Sequence, residues 1–372
     1  MLPAPATVGM PVSDVDTPAL LLDLDAFEFN LDTLARTLDG RSVKLRPHAK
    51  SHKCPTIARI QMDRGAVGVC CQKVSEAEAL VDGGVTNVMI SNEVVGAGKL
   101  ARLARLARRA KVLVLADHPD NVDALQRAAQ DAQVTLEVLV EVDVGAGRCG
   151  TEPGEPAAEL AARIAASPNL DFGGIHAYQG GAQHLRTPAE RETAIRKALD
   201  MVNATRDALA RRGLEARTVT GAGTGTYLLE AASGVYNEIQ PGSYVFMDAD
   251  YGRNLEGDGQ PVHTFRHSLF ILSTVMSRPA EARAIVDVGL KAHSVDSGMP
   301  LVADVPGAKY LRASDEHGLV ELAPGTSVPL GTKIRLIPGH CDPTVNLYDW
   351  LVCYRGDRVE AIWPISARGA FY

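Results

Sequence analysis

Short apolar runs alternate with longer amphipathic segments from residue 43 to residue 240. The intervening segments, such as 76–81, 99–109 and 189–211, place Leu, Ile, Val and Ala on one helical face. This alternation predicts parallel βα units. The eight apolar runs with the length of buried strands are 43–47, 67–70, 87–91, 112–115, 136–142, 172–175, 217–220 and 236–240.

Eight successive βα units favour an α/β fold, a closed (β/α)8 barrel of the TIM type. An open doubly wound sheet is the alternative, but no Gly-x-Gly-x-x-Gly motif follows an early strand. In a barrel the active site lies at the C-terminal ends of the strands. Reactive side chains are therefore expected directly after the apolar runs.

The pattern changes after about residue 255. Helical periodicity fades, and the strand-like runs 268–276, 284–287, 333–337 and 349–354 are separated by Gly, Pro and Asp. This texture predicts a smaller antiparallel β domain. The predicted divisions are an N-terminal strand segment at 1–24 that joins the β domain, the barrel at 25–255 and the β domain at 256–372.

The composition is that of an ordinary globular enzyme, with 372 residues, 46% hydrophobic and 22% charged. A net charge of −7, with one basic segment at 102–111, argues against nucleic acid as a partner. No apolar stretch has membrane-spanning length, and the N-terminus lacks the pattern of a signal peptide. Six cysteines without CxxC spacing predict a reduced, cytoplasmic protein.

The segment Arg46-Pro-His-Ala-Lys50-Ser-His-Lys53 follows the first predicted strand. A lysine at a strand end, partly desolvated and near other cations, has a lowered pKa and can condense with a carbonyl group. Pyridoxal phosphate is the commonest such carbonyl. The alternative for these eight residues is a basic loop with surface histidines.

Two glycine-rich turns follow the predicted seventh and eighth strands. Thr220-Gly-Ala-Gly-Thr-Gly-Thr226 lets backbone N–H groups crowd around an anion, and Pro241-Gly-Ser-Tyr244 offers a second tight turn. Barrels often bind a phosphate at these two strand ends. The pair of turns therefore predicts a phosphate site, with two flexible connections as the alternative.

The ends of the fifth and sixth strands carry further polar side chains. Arg148 could grip a carboxylate or a phenolate oxygen, or else form an ion pair with Asp143 or Glu141. Tyr178 could contact a cofactor ring, and His184 could transfer a proton. A lone loop histidine is more often structural.

The β domain contains a second cluster, Pro338-Gly-His340-Cys-Asp342. If the segment is extended, His340 and Asp342 share a face and Cys341 points away. One nitrogen and one carboxylate oxygen suit Mn, Mg or Co at an open site. The alternative is a turn in which Asp342 caps backbone groups and His340 packs on Trp350.

Six motifs together resemble the metal-dependent D-threonine aldolases, within the alanine-racemase-like, fold-type III pyridoxal phosphate enzymes. The resemblance covers essentially the whole chain and implies a barrel, a β domain and a homodimer with the active site at the subunit interface. The motifs are PHAKSHK, VDVGAGRCG, HAYQGGAQH, TGAGTGTY, QPGSYVFMD and PGHCDPTVNLYDW.

The resemblance also implies roles for individual residues. Lys50 would form the Schiff base, Arg148 would contact the phenolate oxygen or the substrate carboxylate, and Tyr178 would lie near the ring. Gln240 stands where the racemases have an arginine beside the pyridine nitrogen, which leaves the protonation of that nitrogen open. The phosphate would be held by Gly223, Thr224, Gly242 and Ser243, with Gly225, Thr226 and Tyr244 close by.

His340 and Asp342 match the aldolase metal pair, whereas the related dehydratases have a cysteine at the second position and bind zinc. Manganese is the favoured metal, magnesium and cobalt are alternatives, and zinc is less favoured. His184 or a water on the metal would take the proton of the β-hydroxyl. Whether the metal pair serves its own barrel or the partner subunit's is left open.

The implied reaction cleaves small D-β-hydroxy-α-amino acids of the D-threonine, D-allo-threonine and D-phenylserine type to glycine and an aldehyde. Alternatives are a D-3-hydroxyaspartate aldolase and a D-serine or 3-hydroxyaspartate dehydratase. An amino-acid racemase and a non-enzymatic cofactor carrier represent other classes. A racemase would keep its activity in chelator, and a carrier would lack the β domain.

Overall fold

The structure is a computed structural model that describes residues 3–372. Its contacts divide the chain into two compact units. The sheet unit comprises the described residues up to Arg36, Ser51–Cys54 and Ser243–Gly369. The barrel unit comprises Thr37–Lys50, Pro55–Gly242 and Ala370–Tyr372. Each unit is described by itself below.

Strands and helices follow one another along the chain as the alternating pattern predicts. In chain order the strands are β1 Ala19–Asp23, β2 Lys44–Leu45, β3 Val69–Cys71, β4 Asn87–Glu93, β5 Lys111–Ala116, β6 Leu136–Glu141, β7 Leu170–His176, β8 Thr218–Gly221, β9 Glu238–Ile239, β10 Leu269–Ala280, β11 Arg283–Val286, β12 Leu301–Val302, β13 Ala308–Ala313, β14 Gly318–Leu322, β15 Lys333–Ile337, β16 Trp350–Arg355 and β17 Arg358–Pro364. The helices are α1 Leu24–Leu38, α2 Pro55–Asp63, α3 Val74–Asp82, α4 Ala97–Leu106, α5 Pro119–Ala132, α6 Glu155–Ala165, α7 Pro188–Arg211, α8 Tyr227–Ala232 and α9 Cys341–Val345.

The barrel unit contains one sheet of eight parallel strands, ordered β2-β9-β8-β7-β6-β5-β4-β3. A parallel bridge between His48 and Cys70 links β3 back to β2, and Val67 N donates to Leu45 O at 2.9 Å. The sheet therefore closes on itself. This confirms the predicted (β/α)8 fold, and all eight predicted apolar runs overlap strands of the barrel.

Alternating side chains of β5 show how the barrel core is built. Leu113 and Leu115 belong to an inner cluster with Met89 and Leu139, and Val114 packs in the larger cluster that includes helix residues. Successive strand residues point to opposite faces, so one apolar run serves both the barrel interior and the helix layer. This double burial explains why the runs are continuous rather than alternating.

The sheet unit has a nine-stranded sheet in which neighbouring strands are mostly antiparallel. Strand β1 lies in its middle, antiparallel to β10 and parallel to β16. Leu21, Phe270 and Val352 share its core. The first strand of the chain therefore completes a sheet that is otherwise formed by residues after Ser268.

Residues 243–255 were predicted as the end of the barrel, and by contacts they group with the sheet unit. Ala249 N donates to Pro338 O at 3.0 Å, and Asp250 N donates to Gly339 O at 3.2 Å. These backbone hydrogen bonds join the segment after β9 to the segment that contains His340. A membrane-crossing helix, by length and hydropathy together, does not occur among residues 3–372.

Candidate active site

Lys50 lies in a 3₁₀ turn, Ala49–Ser51, that follows the C-terminal end of β2. Its backbone N–H donates to Nδ1 of the buried His48 at 3.3 Å. The other ring nitrogen, Nε2, lies 3.0 Å from Ser91 Oγ and 2.9 Å from the Gln72 amide nitrogen. His48 therefore connects the 3₁₀ turn that contains Lys50 to the residues at the C-terminal ends of β3 and β4. These contacts fix the backbone position of the half-buried Lys50.

The glycine-rich turn after β8, residues 220–226, is shaped by Gln183. This fully buried side chain accepts from Gly225 N at 3.0 Å and donates to Thr226 Oγ1 at 2.8 Å. A Cβ on Gly225 would lie 2.4 Å from the backbone oxygen of Gln183, so glycine is required there. The turn is thus a packed structure rather than a flexible connection.

The network under this turn ends in a carboxyl group. Thr226 Oγ1 donates to Glu230 Oε1 at 2.8 Å. Burial raises the pKa of Glu230 to about 8, although the Thr226 hydrogen bond opposes that shift. Thr226 and the N–H of Gly225 therefore have protein partners beneath the turn.

The second predicted turn, residues 241–244, follows β9, which pairs with β8. Directly before this turn, Gln240 N donates to Gly221 O at the end of β8, at 2.8 Å. Gly242 follows that strand, and Ser243 begins a 3₁₀ turn, Ser243–Val245. Tyr244 is 1% exposed and its ring lies 5.7 Å from that of Phe265. Tyr244 is therefore a core residue of the sheet unit.

The loop after β6 presents Arg148. Asp143 Oδ1 accepts from Gly145 N, Ala146 N and Gly147 N at 2.9, 2.8 and 3.1 Å, and so folds the loop. Arg148 is half-exposed, with an amino nitrogen 3.9 Å from Glu141. Asp143, one of the two predicted ion-pair partners of Arg148, instead accepts hydrogen bonds from the backbone of the loop.

The loop after β7 contains Tyr178 and His184, and it contacts the loops after β6 and β8. The Tyr178 ring centroid is 5.5 Å from the Arg148 guanidinium carbon. Gln179 Nε2 donates to Val144 O at 3.0 Å, in the Arg148 loop. His184 ends the 3₁₀ turn Gly180–His184 and is exposed, directly after Gln183. Arg148 and Tyr178 thus lie close together. His184 directly follows Gln183, whose side chain forms hydrogen bonds with the glycine-rich turn.

A buried polar chain behind Gln240 was not found from the sequence. His176 Nδ1 forms an ion pair with Glu141, and His176 Nε2 lies 3.1 Å from Gln240 Oε1. Gln240 Nε2 donates to Thr220 Oγ1 at 2.8 Å. Burial alone would lower the pKa of His176, but the adjacent Glu141 carboxylate outweighs burial and raises it. His176 is the first residue of the motif HAYQGGAQH and Glu141 directly precedes VDVGAGRCG, which was the available signal.

Residues 338–345, called the metal turn, are not extended as predicted. His340 is extended with φ −142°, but Cys341–Val345 is a short helix whose first turn contains Asp342 and Pro343. Proline fits the first helical turn because the N–H groups there have no intrahelical partner. The argument that His340 and Asp342 share a strand face is therefore wrong, and their pairing at a metal stays a prediction.

Two acidic residues outside the motif hold the metal turn. Cys341 N donates to Oδ2 of the fully buried Asp248 at 2.9 Å, and Asp296 Oδ2 lies 2.7 Å from His340 Nδ1. Burial of Asp248 raises the pKa of its carboxyl group. Among residues 3–372 no three or more His, Cys, Asp or Glu side chains form a group that could hold a metal. The pair His340 and Asp342 therefore stays a predicted donor set for a divalent ion.

Two family models match this chain. Residues 22–250 match the family model "Alanine racemase, N-terminal domain", and residues 268–354 match "Putative serine dehydratase domain". The chain is 48% identical to a D-threonine aldolase of Arthrobacter sp., covering 99% of this chain and 97% of that protein. It is 46% identical to a 3-hydroxy-D-aspartate aldolase of Paracoccus denitrificans (strain Pd 1222), covering 99% and 96%.

Solved structures give the same assignment. The crystal structure of D-threonine aldolase from Filomicrobium marinum matches with a TM-score of 0.97 and 50% identity, covering 99% of this chain and 100% of that chain. A D-threo-3-hydroxyaspartate dehydratase from Delftia sp. HT23 matches at 0.83 with 26% identity, covering 95% and 98%. The chain belongs to the D-threonine aldolase family, whose N-terminal domain is of the alanine racemase type.

Proposed function

We propose that this chain is a pyridoxal phosphate- and divalent metal-dependent aldolase that cleaves D-β-hydroxy-α-amino acids to glycine and an aldehyde. Membership of the family makes it a carbon–carbon lyase. The observation that carries the proposal is the arrangement at the C-terminal ends of the barrel strands. Lys50 follows β2, and the glycine-rich turns follow the paired strands β8 and β9.

The barrel unit offers a fitting set of groups for the cofactor. Lys50 provides the amine that bonds to the carbonyl carbon, and Arg148 provides paired donors for a phenolate oxygen or a carboxylate. Tyr178 and Gln240 are proposed for the ring. Backbone N–H groups of Gly223, Thr224, Gly242 and Ser243 are proposed for the phosphate. When bound, pyridoxal phosphate supplies a sink for the electrons of a carbanion at Cα.

The remaining steps are assigned to side chains of this protein. His340 and Asp342 would hold a divalent cation, which supplies Lewis-acid polarisation that lowers the pKa of the β-hydroxyl group. The exposed imidazole of His184 can accept the hydroxyl proton. Loss of that proton would let the Cα–Cβ bond break with release of the aldehyde, and a proton delivered to Cα would complete glycine. Lys50 would hold the cofactor before and after the reaction. The metal ligands thus select the bond that breaks.

Three finer points belong to the same proposal. Manganese is the proposed metal, since a histidine nitrogen and a carboxylate oxygen match its preference. The proposed assembly is a homodimer with the active site at the subunit interface, which rests on the family resemblance. The proposed location is the cytoplasm, supported by six cysteines, none of which forms a disulfide bond within residues 3–372.

A D-3-hydroxyaspartate aldolase is the second candidate, because relatives with that activity in their names reach 46% identity. The two substrates differ in one carboxylate, so the activities are separated by comparing kcat/KM for D-threonine and for D-3-hydroxyaspartate. A ratio above about 100 either way, roughly 2.7 kcal/mol of transition-state discrimination, assigns the substrate.

The function is tested with purified, cofactor-loaded enzyme, manganese and D-threonine. Glycine, acetaldehyde, ammonia and 2-oxobutanoate are assayed together, with and without chelator. We expect equal glycine and acetaldehyde, lost in chelator and restored by manganese. Ammonia and 2-oxobutanoate instead would identify a dehydratase. L-allo-threonine formed in chelator would identify a racemase, because inversion at Cα leaves Cβ unchanged.

A further inference from the structure

The loop that contains Asp296 is joined to the metal turn by hydrogen bonds through the Thr344 hydroxyl group. Ser294 N donates to Thr344 Oγ1 at 3.2 Å, and Thr344 Oγ1 donates to His340 O at 2.8 Å. Thr344 is fully buried. The main chain of His340 and the start of the Asp296 loop therefore share one hydroxyl group, and neither can move without disturbing the other.

Glycines bring the same two segments into close approach. A Cβ on Gly339 would overlap the carbonyl oxygen of Gly298. Arg253 holds the loop from another side, with Nη2 donating to Ser297 O at 2.9 Å while the guanidinium pairs with Asp250. Three independent contacts thus fix the loop beside the metal turn, before its carboxylate is considered.

The Asp296 carboxylate is itself oriented. Ser294 Oγ donates to Oδ1 at 2.6 Å, and Ser297 Oγ donates to Oδ2 at 3.3 Å. Oδ2 lies 2.7 Å from His340 Nδ1. An ionised carboxylate can only accept hydrogen bonds, so Nδ1 must carry the proton. A neutral His340 then has its lone pair on Nε2.

We propose that Asp296 is a positioning residue that fixes the tautomer and ring orientation of His340, so that His340 binds the metal through Nε2. The inference rests on the proposed metal-binding role of His340. Histidine ligands commonly donate their second N–H to a carboxylate, which orients the ring and makes the ligating nitrogen more basic. Asp296 performs this role across 44 positions of sequence.

The consequence is measurable in metal affinity, separately from catalysis. Removal of such an orienting carboxylate typically weakens metal binding roughly 10- to 100-fold. We expect this loss in Asp296→Ala, and a smaller loss in Asp296→Asn, because the amide oxygen still accepts from Nδ1–H but lacks the negative charge. Asp304→Ala is the matched control, since it removes an equal charge from the sheet unit and breaks only the contact with Arg335.

The experiment titrates manganese by calorimetry into metal-stripped, cofactor-loaded protein, and records the visible spectrum of the cobalt form. Asp304→Ala and wild type should bind alike, whereas Asp296→Ala should bind weakly with a cobalt spectrum of unchanged ligand number. Wild-type affinity in Asp296→Ala overturns the inference. Equal losses in the Ala and Asn variants, with a cobalt spectrum that reports one ligand fewer, also overturn it by making Asp296 a ligand.

Failure of the proposed function has a different signature. Wild-type manganese affinity in His340→Ala would remove the metal role of His340 itself, whatever the Asp296 variants do. Asp296→Asn keeps the size and one acceptor oxygen of the side chain. If Asp296→Ala does not fold, the manganese affinity of Asp296→Asn still tests the inference. Wild-type affinity in Asp296→Asn, with normal thermal unfolding, would then count against the inference.

Discussion

The lysine end of the barrel unit and the metal turn of the sheet unit are held in different ways. Lys50 sits two residues from His48, the side chain that accepts its N–H, on a strand end that the barrel topology places. His340 and Cys341 are held by Asp296 and Asp248, which are 44 and 93 positions away. The surroundings of a site residue can be predicted from sequence where a neighbouring side chain sets them, and cannot where distant side chains do.

The first test removes the lysine. Lys50→Ala should lower retro-aldol activity by at least roughly 10⁴-fold, the scale observed when a covalent catalyst is lost. Borohydride treatment, followed by peptide mass analysis, should no longer attach the cofactor to the chain. Lys44→Ala, at the start of the same strand, is the control and should behave as wild type. Retained activity in Lys50→Ala would refute the cofactor assignment.

The second test asks whether the metal turn contributes independently. His340→Ala and Asp342→Ala should each lower activity by about 10²- to 10³-fold, equivalent to several kcal/mol of lost Lewis-acid stabilisation. Cofactor attachment to Lys50, measured by absorbance and borohydride labelling, should persist. Excess manganese should not restore the double variant. Full activity of that variant would remove the metal from the mechanism.

The third test weakens a barrel loop without replacing a residue that is proposed to bind the cofactor. Gln183→Ala removes two hydrogen bonds to the glycine-rich turn, and we expect a loss of about 1–3 kcal/mol in stability. Cofactor affinity, measured by titrating apoenzyme, should fall roughly 10-fold, as expected for about 1.4 kcal/mol. Gln130→Ala, on the exposed face of α5, should change neither quantity. An unchanged cofactor affinity would separate Gln183 from the phosphate site.

The smallest expected effect concerns pH. The pKa of Glu230 is about 8 in the folded protein and ordinary in the unfolded chain, so the folded state binds more protons between these values. The contribution of Glu230 to the free energy of unfolding should therefore fall as the pH rises from about 4.5 to 8. Glu230→Gln should remove that part of the slope in thermal unfolding from pH 5 to pH 8. An identical slope in the variant would show that Glu230 is not protonated.

Sequence patterns were most reliable where local chemistry decides conformation. The eight apolar runs located the barrel strands, because each must be buried on both faces. The amphipathic segment 189–211 became α7, which starts at Thr187 with a capping box to Glu190. In each case the information lies within a few neighbouring residues.

The same reasoning failed at the metal turn. The period-two argument assumed an extended chain, but Asp342 and Pro343 are favourable in a first helical turn and Asp248 accepts the N–H of Cys341. His176 and Glu141 were missed because neither stands out until the strands β6 and β7 place them side by side. Burial then makes their pairing obligatory, since an unpaired charge in the interior is costly.

Local pattern was thus sufficient for the parallel barrel, the lysine at its first strand end and the two glycine-rich turns. Tertiary structure alone decided that Gln183 shapes the turn after β8 and that Asp296 meets His340. The physical reason is range. Strand period, glycine content and motif spacing act between neighbours, whereas the protonated nitrogen of a histidine depends on the acceptor that folding brings to it.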